Sequence, residues 1–434
     1  MPAEQRSAVQ QKSLFDDEQE FIAPGLQTIA LLSQLAIDHG NGCTLTDVNG
    51  RTYLDLNAGV SVASLGHAHP RHVAALTGQL KQVSVGSFTS AARAELVRLI
   101  AELAPGDLKR TQFFSGGAEA VEAAIRLARS YTKSTHIVGF TGGFHGKTAG
   151  VLPISDIDWK REVGPLPPDQ HIAIYPDVTT FGGTAAECAA ASLDSLRRVI
   201  EEECGGRAAA IILEPIQGTA GNIIPPDGFL RSVRDVANEY GALMIADEMI
   251  TGFGRTGAMF GCNHDSVVPD IMTVGKGMGG GFPVSAVIST DEIMSAKPFS
   301  LPSASSSSYG GNPLAAAAAL VTIQTIVEDD LAENASRVGE LFRDGLRAIE
   351  KRRGMIANIR GRGLLIGFDL VDDRKQLLAK PKCIDFFKRC LAHGLIMMSY
   401  TPRVRVHPPL ILTRHEAEQA LATIDDVLSE MTAC

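Results

Sequence analysis

Five short apolar runs, HIVGF, AAIILEP, ALMIADE, DIMTVGK and PVSAVIS, follow one another through the middle of the chain. Helical patterns such as AELVRLIAEL and AVEAAIRLARSY precede or separate them. Apolar runs this short suit strands covered on both faces, and helix-length connections between strands imply parallel crossovers. Residues 72–330 are therefore expected to form a large α/β domain with a mainly parallel central sheet.

The flanking segments read differently. Residues 1–71 look like an N-terminal arm plus part of a small domain, in which CTLTDVNGRTYLDL forms a hairpin turning at Asn49-Gly50. Residues 331–434 contain the amphipathic stretch LAENASRVGELFRDGLRAIEKR, the strand-like GLLIGFDLV and RVRVHPPL, a helix near CIDFFKRCLAHG and a final helix. These pieces indicate a smaller C-terminal α+β domain. The serine-rich SLPSASSSSYGGNP runs directly into the helical AAAAALVTIQTIV, which favours a structured loop at a helix N-terminus over a linker.

Length and charge narrow the function. At 434 residues, with 45% apolar and 21% charged residues, the chain can bury an active-site cleft. A net charge of -9 speaks against general nucleic-acid binding, which needs a basic face. The polar, acidic first twenty residues lack the apolar core of a secretory signal, and no apolar run is long enough to span a bilayer, so the chain reads as cytoplasmic. Seven cysteines (Cys43, Cys188, Cys204, Cys262, Cys383, Cys390, Cys434) form no CxxC pair, and the spacing suggests neither disulfides nor a zinc site.

Chemistry concentrates in ALMIADEMITGFGRTG and PDIMTVGKGMGGGFPVSAV. Asp247 closes one apolar strand, where open α/β sheets place ligand sites, and Lys276 follows another inside a glycine-rich turn. Such a turn lets backbone pack close to a ligand, and partial desolvation frees a lysine amine for Schiff-base chemistry. Alone, the aspartate could be a helix cap and the lysine a solvated charge. Together they supply what pyridoxal phosphate (PLP) requires: a lysine for the covalent link and a carboxylate that keeps the pyridine nitrogen protonated. Upstream, Ser115, Gly116, Gly117 and Ala118 sit at the mouth of a strong helix, where free N–H groups and the helix dipole favour a phosphate. Phe144 and His145 follow the strand HIVGF on what should be the same sheet edge.

From about residue 40 onward the chain resembles the class III PLP-dependent aminotransferases of fold type I. The resemblance rests on DEMITGFGRTG, the lysine of GKGMGGG, SYGGNP and RGRGLLIG. It implies that Lys276 is the Schiff-base lysine and proton shuttle and that Asp247 partners the pyridine nitrogen. Phe144 would stack on the ring, His145 would support Asp247, and Gly117 and Ala118 would cradle the phosphate. Ser308, where the family usually has threonine, would reach the phosphate bound in a neighbouring subunit, which implies a homodimer with shared sites.

Departures from the family pattern concern the substrate. Arg405 in RVRVHPPL matches the family's carboxylate-binding arginine, but in EPIQGTAG Thr219 occupies the place of the glutamate that usually neutralises it. A threonine cannot cancel a guanidinium charge, so simple glutamate-type switching is not expected. Ile250 replaces a glutamine that often touches the cofactor's phenolic oxygen, and Gly116 replaces a phosphate-binding serine or threonine. Val60 aligns with a residue that shapes the substrate pocket, where a small apolar side chain admits a bulky or extended substrate; it could equally be ordinary core. The expected activity is ping-pong transfer of an amino group, often a terminal one, from a small-molecule amine to a keto acid or other carbonyl acceptor. Racemisation, intramolecular amino transfer and decarboxylation on the same scaffold stay open at this point, as does a non-catalytic role.

Overall fold

In the computed structural model, residues 14–432 are described. They form two compact units: one comprises the described residues up to Pro70 together with those from Asn334 onward, the other Arg71–Glu333. The first unit contributes β1 (Ile37–Asn41), β2 (Thr44–Asp47) and β3 (Thr52–Asp55). The second holds β4 (Arg110–Phe114), β5 (Ile137–Phe140), β6 (Gln170–Ala173), β7 (Ala210–Leu213), β8 (Leu243–Asp247), β9 (Ile271–Val274) and β10 (Ser285–Ser289). The chain then returns to the first unit with β11 (Ile356–Arg362), β12 (Leu365–Leu370), β13 (Leu395–Ile396) and β14 (Arg403–Val406).

The central unit is an α/β layer structure around a seven-stranded sheet in the order β4-β10-β9-β8-β7-β5-β6. β10 pairs antiparallel with both β4 and β9, whereas β9-β8, β8-β7, β7-β5 and β5-β6 are parallel. Every residue of β5, β7, β8, β9 and β10 is buried, as their uninterrupted apolar sequences require when helices cover both faces. One covering helix, Gly117–Thr132, turns Ala120, Val121, Ala124, Leu127 and Ala128 inward on helical spacing and packs on β9 and β10. Phe229–Glu239 does the same with Phe229, Leu230, Val233, Val236 and Ala237. Each such Val or Leu, fully buried, contributes roughly 1.5–3 kcal/mol. The five apolar runs of the sequence are β5, β7, β8, β9 and β10; β4 and β6, whose sequences RTQFF and QHIA are partly polar, carry no comparable signal.

The other unit is α+β. β1, β2 and β3 form an antiparallel meander, and the short β13 joins β3 in parallel, so the two ends of the chain share one sheet. The β2–β3 turn carries Asn49-Gly50, with Gly50 at φ 83°. Asp47 holds the turn: its Oδ1 accepts the N–H groups of Asn49 and Arg51, and its Oδ2 accepts the Tyr53 hydroxyl. A second antiparallel sheet, β11-β12-β14, is flanked in sequence by the helices Leu331–Arg353, Lys380–Ala392 and Arg414–Thr432. Six cysteines are buried free thiols and Cys434 lies outside the described residues. No helix of the described residues is long and apolar enough to cross a membrane.

Gly339 marks a tight seam in this unit. A Cβ there would stand 1.9 Å from the carbonyl oxygen of Gly363, which is backbone and cannot swing away. Gly339→Ala should lower stability by about 1–3 kcal/mol, the usual range for overpacking. A fall in the urea midpoint at unchanged slope is the expected result; an unchanged midpoint would show that the helix is not seated this closely.

Candidate active site

Because β10 runs against both β4 and β9, strands β4, β5, β7, β8 and β9 all point the same way. Their carboxyl ends gather on one edge of the sheet, where α/β folds bind ligands. The segments leaving that edge are residues 115–117, 142–146, 214–218, 247–250 and 275–279.

Asp247, the last residue of β8, is 1% exposed. Its Oδ2 lies 2.6 Å from His145 Nδ1, while Oδ1 accepts the Thr273 hydroxyl at 3.0 Å and the Met249 N–H at 3.2 Å. Burial by itself would push the His145 pKa down; the hydrogen bond and charge of Asp247, with the charge of Glu214, outweigh it and hold that pKa above its ordinary value. The Lys276 ammonium opposes this, which places its charge within electrostatic reach of the imidazole. The backbone N–H of His145 donates to Ser155 Oγ at 3.0 Å, which fixes the loop that carries the ring.

Glu214 is a member of this cluster that the sequence reading missed. It is buried, and its two oxygens accept the N–H groups of Phe144 (2.9 Å) and Gly218 (3.0 Å). Burial raises its pKa above the usual carboxylate value, against the lowering effect of His145. The available signal was an acidic residue at the end of the apolar run AAIILEP, the position Asp247 holds in ALMIADE.

Lys276 follows β9 and opens the short turn Lys276–Gly279, half-buried and at φ 40°, in the left-handed region that side chains rarely adopt. A Cβ on the preceding Gly275 would stand 2.7 Å from Met249 Sδ, and one on Gly117 would stand 3.2 Å from the same sulfur. Met249, two residues past Asp247, is therefore wedged between the segment carrying Lys276 and the N-terminus of the helix Gly117–Thr132. The glycines bring three sheet-edge segments together there.

At that N-terminus the N–H groups of Ser115 and Gly116 both donate to Glu119 Oε2, at 3.2 and 2.6 Å. A glutamate three residues into the helix folds back to satisfy them, as such glutamates do. Gly117 and Ala118 supply the first N–H groups of the helix itself, which have no intrahelical acceptor. Ser285 Oγ donates to the Gly116 carbonyl at 2.8 Å and ties this end to β10.

The remaining residues lie on separate segments. Phe144 is half-buried with the Lys147 ammonium 6.0 Å from its ring centre, and buried Ile250 packs against Gly218. Thr219 is exposed in the turn closed by the Gln217–Ile223 bridge, and Ser308 is exposed in the segment before the helix Pro313–Glu328. That segment is structured: Asn312 Oδ1 caps the helix by accepting the Ala315 N–H, and Gly310 lies so close to β4 that a Cβ would be 2.2 Å from the Phe113 carbonyl oxygen. Val60 and Arg405 belong to the other compact unit. Val60 sits at φ 66° in a run, Ala58 to Ser61, whose φ angles are all positive. Arg405 lies on β14 opposite Gly367 of β12.

The fold and this constellation define a PLP-dependent enzyme of fold type I. The model of the family described as aminotransferase class-III matches residues 29–428, and the chain belongs to that family. It is 38% identical to an acetylornithine aminotransferase of Methanopyrus kandleri over 90% of this chain and 93% of that protein. It is 39% identical to another of Corynebacterium efficiens, over 91% and 92%. An (S)-enantioselective omega-transaminase from Thermomicrobium roseum superposes at TM-score 0.89, with 31% identity and 96% and 98% of the two chains covered. A PLP-bound amine transaminase from an uncultivated Pseudomonas species superposes at 0.87, with 28% identity and 95% and 98% covered. The enzyme is a PLP-dependent aminotransferase. Its residues fit that cofactor: a buried carboxylate hydrogen-bonded to an imidazole, an amine on a glycine turn and a helix N-terminus.

The raised His145 pKa has a definite sign in stability. A histidine whose folded pKa lies above its unfolded value, about 6.5, contributes fully below that value and loses its contribution as pH rises through the folded one. The difference in urea midpoint between the parent and His145→Gln should therefore be largest at low pH and shrink on the alkaline side. A difference that is constant with pH would mean that His145 is not the charged partner of Asp247.

Proposed function

We propose that this aminotransferase moves a terminal amine, taking it from a small-molecule amine donor and passing it to a keto acid or other carbonyl acceptor by a ping-pong mechanism. The observation that carries the reading is the buried Asp247–His145 pair at the end of β8, within electrostatic reach of the Lys276 amine at the end of β9. The names of the relatives support the terminal position: acetylornithine aminotransferases among the sequences and omega-transaminases among the structures.

Bound PLP supplies an electron-withdrawing ring that lets a proton leave the carbon bearing the amine. In our assignment Asp247 holds a proton on the pyridine nitrogen, and His145, whose Nδ1 lies 2.6 Å from Asp247 Oδ2, holds that carboxylate in place. Lys276 would provide the covalent attachment through its Nζ amine and, once released, would carry the proton between the substrate carbon bearing the amine and the cofactor. Gly117 and Ala118 bind the phosphate through their N–H groups, at the positive end of the helix Gly117–Thr132. Phe144 covers the ring from one face, and Ile250 lines it with apolar surface. Ser308, exposed here, reaches the phosphate of a second copy, so the working unit is a homodimer with shared sites. Val60 leaves room for an extended substrate, and Arg405 binds the carboxylate of the keto acid. Thr219 cannot neutralise Arg405 as a glutamate would, so the arginine keeps its preference for acids through both half-reactions.

Lys276→Ala should abolish borohydride-fixable attachment of PLP and nearly all turnover; a variant that still gave a reducible covalent adduct would place the attachment elsewhere. Arg405→Ala should weaken the half-reaction with a keto acid by about 1.5–3 kcal/mol, the worth of a charge-assisted contact. The half-reaction with a carboxylate-free amine should change little. Equal loss in both would make Arg405 structural.

A further inference from the structure

At the opposite edge of the central sheet, near the amino ends of its parallel strands, lies a cluster with no part in the chemistry above. His136 precedes β5, His171 is the second residue of β6, and Cys204 follows the π-helical turn Val199–Glu203. One donor atom from each, an imidazole nitrogen from both histidines and the cysteine sulfur, lies within 4.8 Å of the other two. His136 Nδ1 and His171 Nε2 are 3.0 Å apart, and the other nitrogen of His171 is held by Glu203 Oε2 at 2.9 Å.

We propose that His136, His171 and Cys204 form a binding site for a zinc-class divalent cation, with Glu203 orienting His171. The donor chemistry selects the ion: two imidazoles and a thiolate suit zinc, cobalt or nickel and not the oxygen-seeking magnesium or calcium. Tetrahedral zinc with bonds of about 2.0–2.3 Å keeps its donors roughly 3.3–3.6 Å apart. The two nitrogens, 3.0 Å apart, already stand close to that separation, and the sulfur lies within 4.8 Å of both. The Glu203 contact is the carboxylate–histidine arrangement that fixes a ligand's tautomer, leaving His171 Nε2 to face the metal. Burial pushes the Cys204 thiol pKa up to about 11, and the negative charges of Glu203 and Asp169 add to that; the same charges favour a cation there. On binding, Cys204 gives its thiol proton to solvent, and His136 carries its remaining proton on Nε2 so that Nδ1 can bind. The fourth position goes to water, on the side where His171 and Glu203 are 17% and 53% exposed. The ion would staple the edge strand β6 to the start of β5 and to the end of the 199–203 turn, stabilising the sheet at a distance from the amino-transfer site.

The test uses tag-free holoenzyme, dialysed against a chelator and titrated with cobalt chloride. The expected result is one Co2+ per chain with the intense visible bands of a tetrahedral thiolate site, displaced by zinc and untouched by magnesium, together with a rise in Tm on zinc addition. Cys204→Ser and His171→Phe should each lose the tetrahedral spectrum while keeping transaminase activity, which reports that they fold. Glu203→Gln should keep the stoichiometry but weaken the metal by about 10–100-fold. Absence of a tetrahedral spectrum at stoichiometric cobalt, or a spectrum that survives in Cys204→Ser and His171→Phe, would overturn the site and leave Glu203, His171 and His136 as a hydrogen-bonded chain only.

Discussion

The contact on which the site depends is the 2.6 Å hydrogen bond between His145 Nδ1 and Asp247 Oδ2, two groups whose side chains are each 1% exposed. A carboxyl group taken this far from water needs hydrogen-bond partners. Asp247 has them on both oxygens: the imidazole on one, and the Thr273 hydroxyl and Met249 N–H on the other. His145 comes from the loop after β5, Thr273 from within β9 and Met249 from just past β8, so the arrangement exists only if these strands bring their carboxyl ends together. The parallel pairing of β9 with β8, and of β8 with β7 and β7 with β5, makes them do so.

Convergence then depends on small residues. Met249 fills the space that side chains at Gly275 and Gly117 would occupy, and a Cβ on Gly146 would stand 2.5 Å from that of Ala118. The loop carrying His145, the helix N-terminus and the turn carrying Lys276 are thus packed to backbone distance around the end of β8. Glu214 and Glu119 complete the frame by accepting backbone N–H groups that the tight loops leave without partners. The glycines of GKGMGGG and FFSGG serve this close packing as much as any ligand.

Much of this was legible in the sequence, for physical reasons. Strands buried on both faces are apolar without interruption, so β5, β7, β8, β9 and β10 stood out, and Asp247 and Lys276 were marked by their position just past two of them. The antiparallel direction of β10 was not legible, because a fully buried strand reads the same in either direction. β4 and β6 were hidden by their polar residues. Glu214 was passed over because a single acid at a strand end has many uses, and the capture of the Ser115 and Gly116 N–H groups by Glu119 depends on a rotamer. The histidines and cysteine of the second cluster come from three separate stretches, so no spacing rule could collect them.

In the function proposed above, Asp247, held by His145, gives the cofactor its electron-withdrawing power by partnering the pyridine nitrogen. The most direct measurement is the single-turnover rate of the half-reaction with an amine donor, in PLP-loaded parent and Asp247→Asn enzymes matched for cofactor content. A neutral amide keeps the shape but cannot stabilise a protonated pyridine, and losing such a preorganised electrostatic contact typically costs about 10²–10³-fold in rate. A drop of that size with PLP still bound is the predicted result. A rate within a few-fold of the parent would contradict the account.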